Sequence, residues 1–243
     1  MSKNEIGKDR KEMSRGILTI DDIASKNTPA IVDYLTEKGI PALMFAWGSQ
    51  VEQHYDEAVY ALQKGMIVGN HSYSHPAFST LSVEEGIEEI ERCEEILDKL
   101  YKDAGVERKY RPFRFPYGDK GGKNKEAFQA YFKEKKFHKV NDQKLTYPWW
   151  KENHLDTDMD TLWSFDFEEY RIRPNSDFTK EDVWAKMHDQ NPAQGGVLFA
   201  PENSHILLLH AHDETEAMVP GYYALFLDHL LENGFVFDTP EFL

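Results

Sequence analysis

Short apolar runs alternating with longer amphipathic, charged segments predict an α/β fold, with helices packed around a mainly parallel sheet or barrel. The chain's 243 residues, 40% of them apolar and 13% aromatic, can bury one sizeable core and fall within the length of a single α/β barrel. One domain is therefore expected over residues 16–243, preceded by a polar, charged extension over 1–15.

Each element follows from a local signal. GILTIDD (16–22) reads as the first strand, TPAIVDYLTEKG (28–39) as a helix closing at Gly39, and PALMFAWG (41–48) as the second strand. VEQHYDEAVYALQKG (51–65) reads as one helix closing at Gly65, and MIVGNHS (66–72) as the third strand. Ser82 and Glu85 form a capping box ahead of residues 86–101, where Ile87, Ile90, Ile96, Leu97 and Leu100 recur at helical spacing. YRPFRFPYGD (110–119) reads as a strand entering a Pro and Gly turn, KEAFQAYFKEKKF (125–137) as a helix, and HKVND (138–142) and TLWSFDF (161–167) as strands. ILLLHAHD (206–213), GYYALFLDHLLENG (221–234) and FVFDTP (235–240) close the chain as strand, helix and strand. Residues 146–160 and 190–203, rich in Pro, Gly, Asn or Asp, read as long loops of the kind that carry binding surfaces.

Charge and cysteine usage narrow the function. Twenty-eight basic against 43 acidic residues leave a net charge of −15, which repels nucleic acid and anionic lipid. The single Cys93 allows no intramolecular disulfide and reads as a half-buried helix residue. No secretory leader and no apolar run of about 18 residues is present, so a cytoplasmic chain is the simplest expectation. A secreted chain already freed of its leader would look the same.

Four apolar runs end in reactive residues, at TIDD, GNHS, RFPYGD and LLLHAHD, where a parallel sheet gathers its site. Asp22 with His71 and His75 makes a His2Asp set with an open position, which suits Zn²⁺ best and allows Co²⁺ or Ni²⁺. Asp21 and Asp22 should point apart on the strand, so one binds the ion and the other is left to take a proton from an activated water. An isolated Asp-Asp is more often a solvated turn, and a lone HxxxH more often structural.

In order and spacing these residues resemble the polysaccharide deacetylase family, the NodB-homology or carbohydrate esterase family 4 enzymes, from about Gly16 to Phe237. The resemblance implies a distorted (β/α)7-type barrel with a divalent metal in a groove at the strand ends. By that resemblance, Asp21 is the catalytic base, Asp22, His71 and His75 are metal ligands, and Ser72 supports their loop. Arg114 orients Asp21, the Tyr117 N–H joins in holding the oxyanion, Leu208 lines the acyl pocket, and His210 is the general acid. The family's Asp-Trp pair aligns with Glu169 and Tyr170, and either Glu169 or Asp166 stands behind Arg114. Ile23 replaces the family's usual Gly, which implies a different or narrower loop beside Asp22.

His212 would share the face of His210 if the strand ran on, and a local loop contact is its other reading. Trp149 and Trp150 either stack on sugar rings or form a structural cluster. His54, His138, His154, His188, His205 and His229 read as surface or loop residues. The implied reaction is hydrolysis of the N-acetyl amide of N-acetylglucosamine-type saccharides: chitin oligomers, peptidoglycan or exopolysaccharide. A cytoplasmic hydrolase of a small linear or cyclic amide, and a non-catalytic carbohydrate-binding relative, are the alternatives. A saccharide or small amide is thus the expected partner, with neither nucleic acid nor membrane.

Overall fold

The computed structural model describes residues 13–193 and 195–243, so residues 1–12 of the expected extension lie outside the described residues. Ser14 is buried and donates to the Leu198 carbonyl at 2.5 Å, and Arg15 opens the first strand, so the folded unit starts ahead of Gly16.

Among the described residues six strands form one parallel sheet: β1 (Arg15–Ile23), β2 (Ala42–Ala46), β3 (Ile67–Asn70), β4 (Phe165–Asp166), β5 (Ser204–His210) and β6 (Val236–Phe237). Their order is β3-β2-β1-β5-β4, with β6 beside the start of β1. Two irregular segments curl the sheet into a distorted barrel. Residues 112–114 flank β3, through Asn70 N–H to Pro112 O at 2.9 Å and Arg114 N–H to Asn70 O at 3.0 Å. Residues 161–167 bridge that segment and β5, through Thr161 N–H to Phe113 O at 2.8 Å and Ser164 N–H to Ile206 O at 2.9 Å. Gly69 permits this approach, since a Cβ there would stand 2.8 Å from Pro112.

Strand alternation sorts the core into two sides. Leu18, Ile20, Met44, Val68, Leu207 and Leu209 pack outward under the helices, in one large cluster. Ile17, Leu43, Phe45 and Ile206 form a second cluster on the opposite, inward faces. Thr19, Asp21, Leu208 and His210 share the inward register, so the polar residues that end β1 and β5 crown the barrel interior.

Nine helices are seen among the described residues. α1 (Thr28–Lys38) begins with a proline and ends at left-handed Gly39. The single helix expected over 51–65 is instead α2 (Gly48–Gln53) and α3 (Tyr55–Gln63), because His54, at φ −126° and ψ 48°, interrupts the helical backbone. α2 draws Trp47 and Gly48 out of the expected second strand. α4 (Val83–Ala104) has the expected capping box from Ser82 and Glu85, and buries Ile90, Cys93, Leu97 and Leu100. α5 (Lys125–Glu134) matches the expected helix. α6 (Pro148–Glu152) forms inside the first expected loop, while α7 (Lys180–Met187) and α8 (Asp213–Met218) stand where no helix was read. α9 (Tyr222–Glu232) packs behind β1 and β5.

Several expected strands are shorter than read, among them FVFDTP, which keeps only β6. Residues 110–119 contribute one bridge, Asn70 to Phe113, since Pro112 and Pro116 lack the N–H a ladder needs. HKVND supplies only an antiparallel bridge from Val140 to Phe242, outside the barrel ring, and TLWSFDF narrows to β4.

Candidate active site

Asp21 and Asp22 end β1, and the backbone turns sharply between their roles: Asp22 takes a left-handed φ of 63°. Asp21 points into the barrel and Asp22 toward the loop after β3, the divergence expected of neighbours on a strand. Ser72, His75 and Tyr117 also adopt positive φ, at 66°, 61° and 59°. Four non-glycine residues in this costly region border one site, where surrounding contacts must hold them.

Those contacts are visible for each histidine. The His71 Nδ1–H donates to the Arg114 carbonyl at 2.8 Å, which leaves Nε2 as a free lone pair. His75 stacks on Trp47 at 4.7 Å between ring centroids and meets the Tyr117 ring edge-on at 4.6 Å. Ser72 Oγ accepts the His75 N–H at 3.2 Å, and the Ser72 N–H donates to Asn70 Oδ1 at 2.8 Å. Asn70 is anchored in turn to Glu94 at 2.8 Å, a partner in α4 that no sequence motif indicates.

The outcome is a convergent donor set. Asp22 Oδ1 lies 3.6 Å from His71 Nε2 and 3.3 Å from His75 Nε2, and the two Nε2 atoms are 3.3 Å apart. Bonds of about 2.0–2.2 Å to a tetrahedral zinc-type ion place donors roughly 3.3–3.6 Å apart, so the spacing fits. Asp22 Oδ1 is buried with no hydrogen-bond partner among the described residues, which an ion would satisfy. Burial resists ionisation of Asp22, yet the His212 hydrogen bond and the nearby imidazoles hold it well below the usual carboxylate range. Burial lowers the His71 pKa and favours the neutral ligand form.

Asp21 is held from the opposite side. Arg114, 0% exposed inside the barrel, donates from Nη1 to Asp21 Oδ1 and to Thr19 Oγ1, both at 2.7 Å, and from Nε to the Thr161 carbonyl at 3.0 Å. Its guanidinium lies over the Phe45 ring at 4.5 Å. Asp21 Oδ2 stays beside the metal-type cluster, 3.4 Å from His71 Nε2.

The carboxylate expected behind Arg114 is elsewhere, which corrects the sequence reading. Glu169 accepts from the His210 backbone N–H at 2.5 Å and from Nδ1 at 3.1 Å; neither Glu169 nor Asp166 hydrogen-bonds Arg114 among the described residues. The 3₁₀ turn at Glu169–Arg171 lies against β5, and this places the carboxylate on the histidine. Burial would lower the His210 pKa, but the charge and hydrogen bond of Glu169, with Asp22 and Asp166, raise it to about 10. Asp166 stands within 4.8 Å of this pair, its pKa raised to about 6 by burial and by Glu169.

A groove of about 780 Å³ runs from the site, lined by Tyr117, Trp149, Leu155, Trp163, Asp166 and Tyr170 among others. Tyr117, 70% exposed, links it to His75, and Tyr170 meets the His210 ring edge-on at 4.8 Å. The tryptophan pair divides: Trp149 lines the groove, whereas Trp150, 2% exposed, donates to Asp142 at 2.8 Å within the core. Leu208 is buried beneath His210 on the inward face of β5.

Ile23 does not take the positive φ, which falls on Asp22, and its side chain is fully buried in the outer core. Cys93 is fully rather than half buried. His205, read as a surface or loop residue, is a buried member of β5 beside Tyr147, and burial lowers its pKa to about 4. His212 bonds Asp22 Oδ2 at 2.7 Å.

The family model described as polysaccharide deacetylase matches residues 8–134. The peptidoglycan-N-acetylmuramic acid deacetylase PdaC of Bacillus subtilis is 36% identical over 104 residues, which are 42% of this chain and 21% of that protein. Chitin deacetylase 1 of Cryptococcus neoformans is 37% identical over 103 residues, again 42% of this chain and 21% of the relative. The matched segment thus spans about a fifth of these curated relatives. The solved structure of peptidoglycan deacetylase PdaC from Bacillus subtilis superposes with a TM-score of 0.58 at 24% identity, covering 94% of this chain and 89% of that one. That likeness concerns the fold.

Proposed function

This chain belongs to the polysaccharide deacetylase family, and from that membership we propose that it hydrolyses the N-acetyl amide of N-acetylglucosamine-type saccharides with the help of a divalent metal. The observation that carries the reading is the convergence of Asp22 Oδ1, His71 Nε2 and His75 Nε2 within 3.6 Å of one another, with Asp21 Oδ2 3.4 Å from His71 Nε2 and His210 paired with Asp21 across β1 and β5. Asp22, His71 and His75 would hold the ion, Zn²⁺ by donor chemistry, with Co²⁺ or Ni²⁺ acceptable. When bound, it supplies Lewis acidity toward water and toward the amide carbonyl.

The chain's own groups do the rest. Asp21 is the base that takes the proton of the attacking water. Arg114 occupies its Oδ1, so Oδ2, facing the cluster, is the oxygen available. The Tyr117 N–H, at the mouth of the groove, donates to the oxyanion of the tetrahedral state. His210 protonates the departing nitrogen from Nε2, because Nδ1 is committed to Glu169. Leu208 and Tyr170 border the acyl group, and Trp149 offers a face to a neighbouring sugar ring.

An aromatic groove of about 780 Å³ favours a saccharide over the small linear or cyclic amide. Both a metal site and an acid-base pair favour an enzyme over a binding relative. Incubating the zinc-loaded protein with N-acetylglucosamine oligomers and measuring free acetate tests the proposal, and ammonia or new carboxylate from a small amide would redirect it.

A further inference from the structure

His212 lies two residues past the end of β5, has no part in the mechanism above, and still reaches the cluster. Its Nε2–H donates to Asp22 Oδ2 at 2.7 Å, whereas Asp22 Oδ1 is left without a hydrogen-bond partner and faces both His71 and His75. We propose that His212 is a positioning residue for the metal ligand Asp22: by engaging one carboxylate oxygen it fixes the rotamer that presents the other, singly, to the ion. This inference rests on the reading of Asp22, His71 and His75 as a metal site.

The surrounding structure is built to deliver that contact. Asp22 sits at a left-handed φ, a costly backbone conformation that surrounding contacts must hold. His212 is the N-terminal flanking residue of α8, and its carbonyl accepts the Glu216 N–H at 3.1 Å. Asp213 accepts the Asn27 N–H at 3.0 Å, and Asn27 Nδ2 donates to Glu216 at 3.5 Å. The Ala211 N–H donates to the Asp21 carbonyl at 3.0 Å. The segment carrying His212 is therefore tied to the chain before Asp22, at Asp21, and after it, at Asn27. Outer partners that orient a ligating group ordinarily change metal affinity about 10–100-fold when removed. His212 is 33% side-chain exposed, so water can fill its place and the fold does not depend on it.

Titrating Co²⁺ into the metal-stripped full chain, followed by visible absorption, separates the outcomes for wild type, His212→Ala, His212→Gln and His212→Asn. A glutamine amide nitrogen reaches where imidazole Nε2 stands, and an asparagine nitrogen only where Nδ1 stands. The expected result is a loss of about 10–100-fold in Co²⁺ affinity for the Ala and Asn variants, most of it regained by Gln. Spectra at saturation should match wild type, and each metal-free variant should still melt cooperatively. Unchanged affinity in His212→Ala, or equal loss in the Gln and Ala variants, overturns the positioning role. An altered spectrum at saturation makes His212 a ligand instead and overturns it as well. Wild type that takes up no Co²⁺ refutes the metal reading, and this inference with it.

Discussion

Glu169 Oε1 receives both the backbone N–H of His210, at 2.5 Å, and its Nδ1, at 3.1 Å. One buried carboxylate therefore sets the position, tautomer and charge of the proposed general acid. Glu169→Gln should lower kcat by about 10²–10⁴-fold while leaving metal affinity largely intact. Because the charge that raises the His210 pKa is lost, the alkaline limb of the rate profile should move to lower pH. A kcat profile from pH 6 to 10 checks both.

The same pair makes a stability prediction for the metal-free protein. His210 stands at about 10 in the folded chain against the ordinary imidazole value of about 6.5. Its contribution is complete below about pH 6.5 and is lost as pH rises through about 10. Urea midpoints at pH 6 and pH 10 should fall with pH in wild type, and this component of the fall should vanish in Glu169→Gln.

Asp21→Asn removes the proposed base and strips the buried Arg114 of its only carboxylate partner among the described residues. Activity should drop about 10²–10⁴-fold. Stability should drop by about 3–5 kcal/mol, the usual cost of leaving a buried charge unpaired. Chemical denaturation alongside the assay separates the two effects.

Chelation should abolish turnover, and Zn²⁺, Co²⁺ or Ni²⁺ should restore it. Binding to the folded chain should also raise stability, by about 2.7 kcal/mol at a free ion concentration of 100 times Kd. His71→Ala should erase that increment, as calorimetry with and without Zn²⁺ would show.

Adjacent tryptophans should behave oppositely. Trp150→Ala should cost about 3–5 kcal/mol, as for a large core side chain. Trp149→Ala should raise KM for oligomers with a small effect on the unfolding midpoint, since its ring lines the groove.

Much of the site was legible because its residues end apolar runs: TIDD, HSYSH, RFPYG and LLLH all lie at barrel positions where strand ends meet. The partner of Glu169 was not, because whether a carboxylate faces Arg114 or His210 depends on a 3₁₀ turn packed against β5 rather than on spacing. Residues 110–119 and 161–167 read as strands, yet Pro112 and the curl of the ring leave them as a single bridge and a two-residue strand. Thr19 and Asn70 lie within TIDD and GNHS but have no role legible there, and only the folded barrel shows Thr19 against Arg114 and Asn70 beneath the histidine loop.

Acetate release from N-acetylglucosamine oligomers by zinc-loaded protein, with metal-stripped protein and folded Asp21→Asn as controls, tests the central claim most directly. Turnover in the loaded wild type alone is the predicted result. A protein that binds zinc stoichiometrically yet releases no acetate, or releases it equally without metal or without Asp21, would contradict the account.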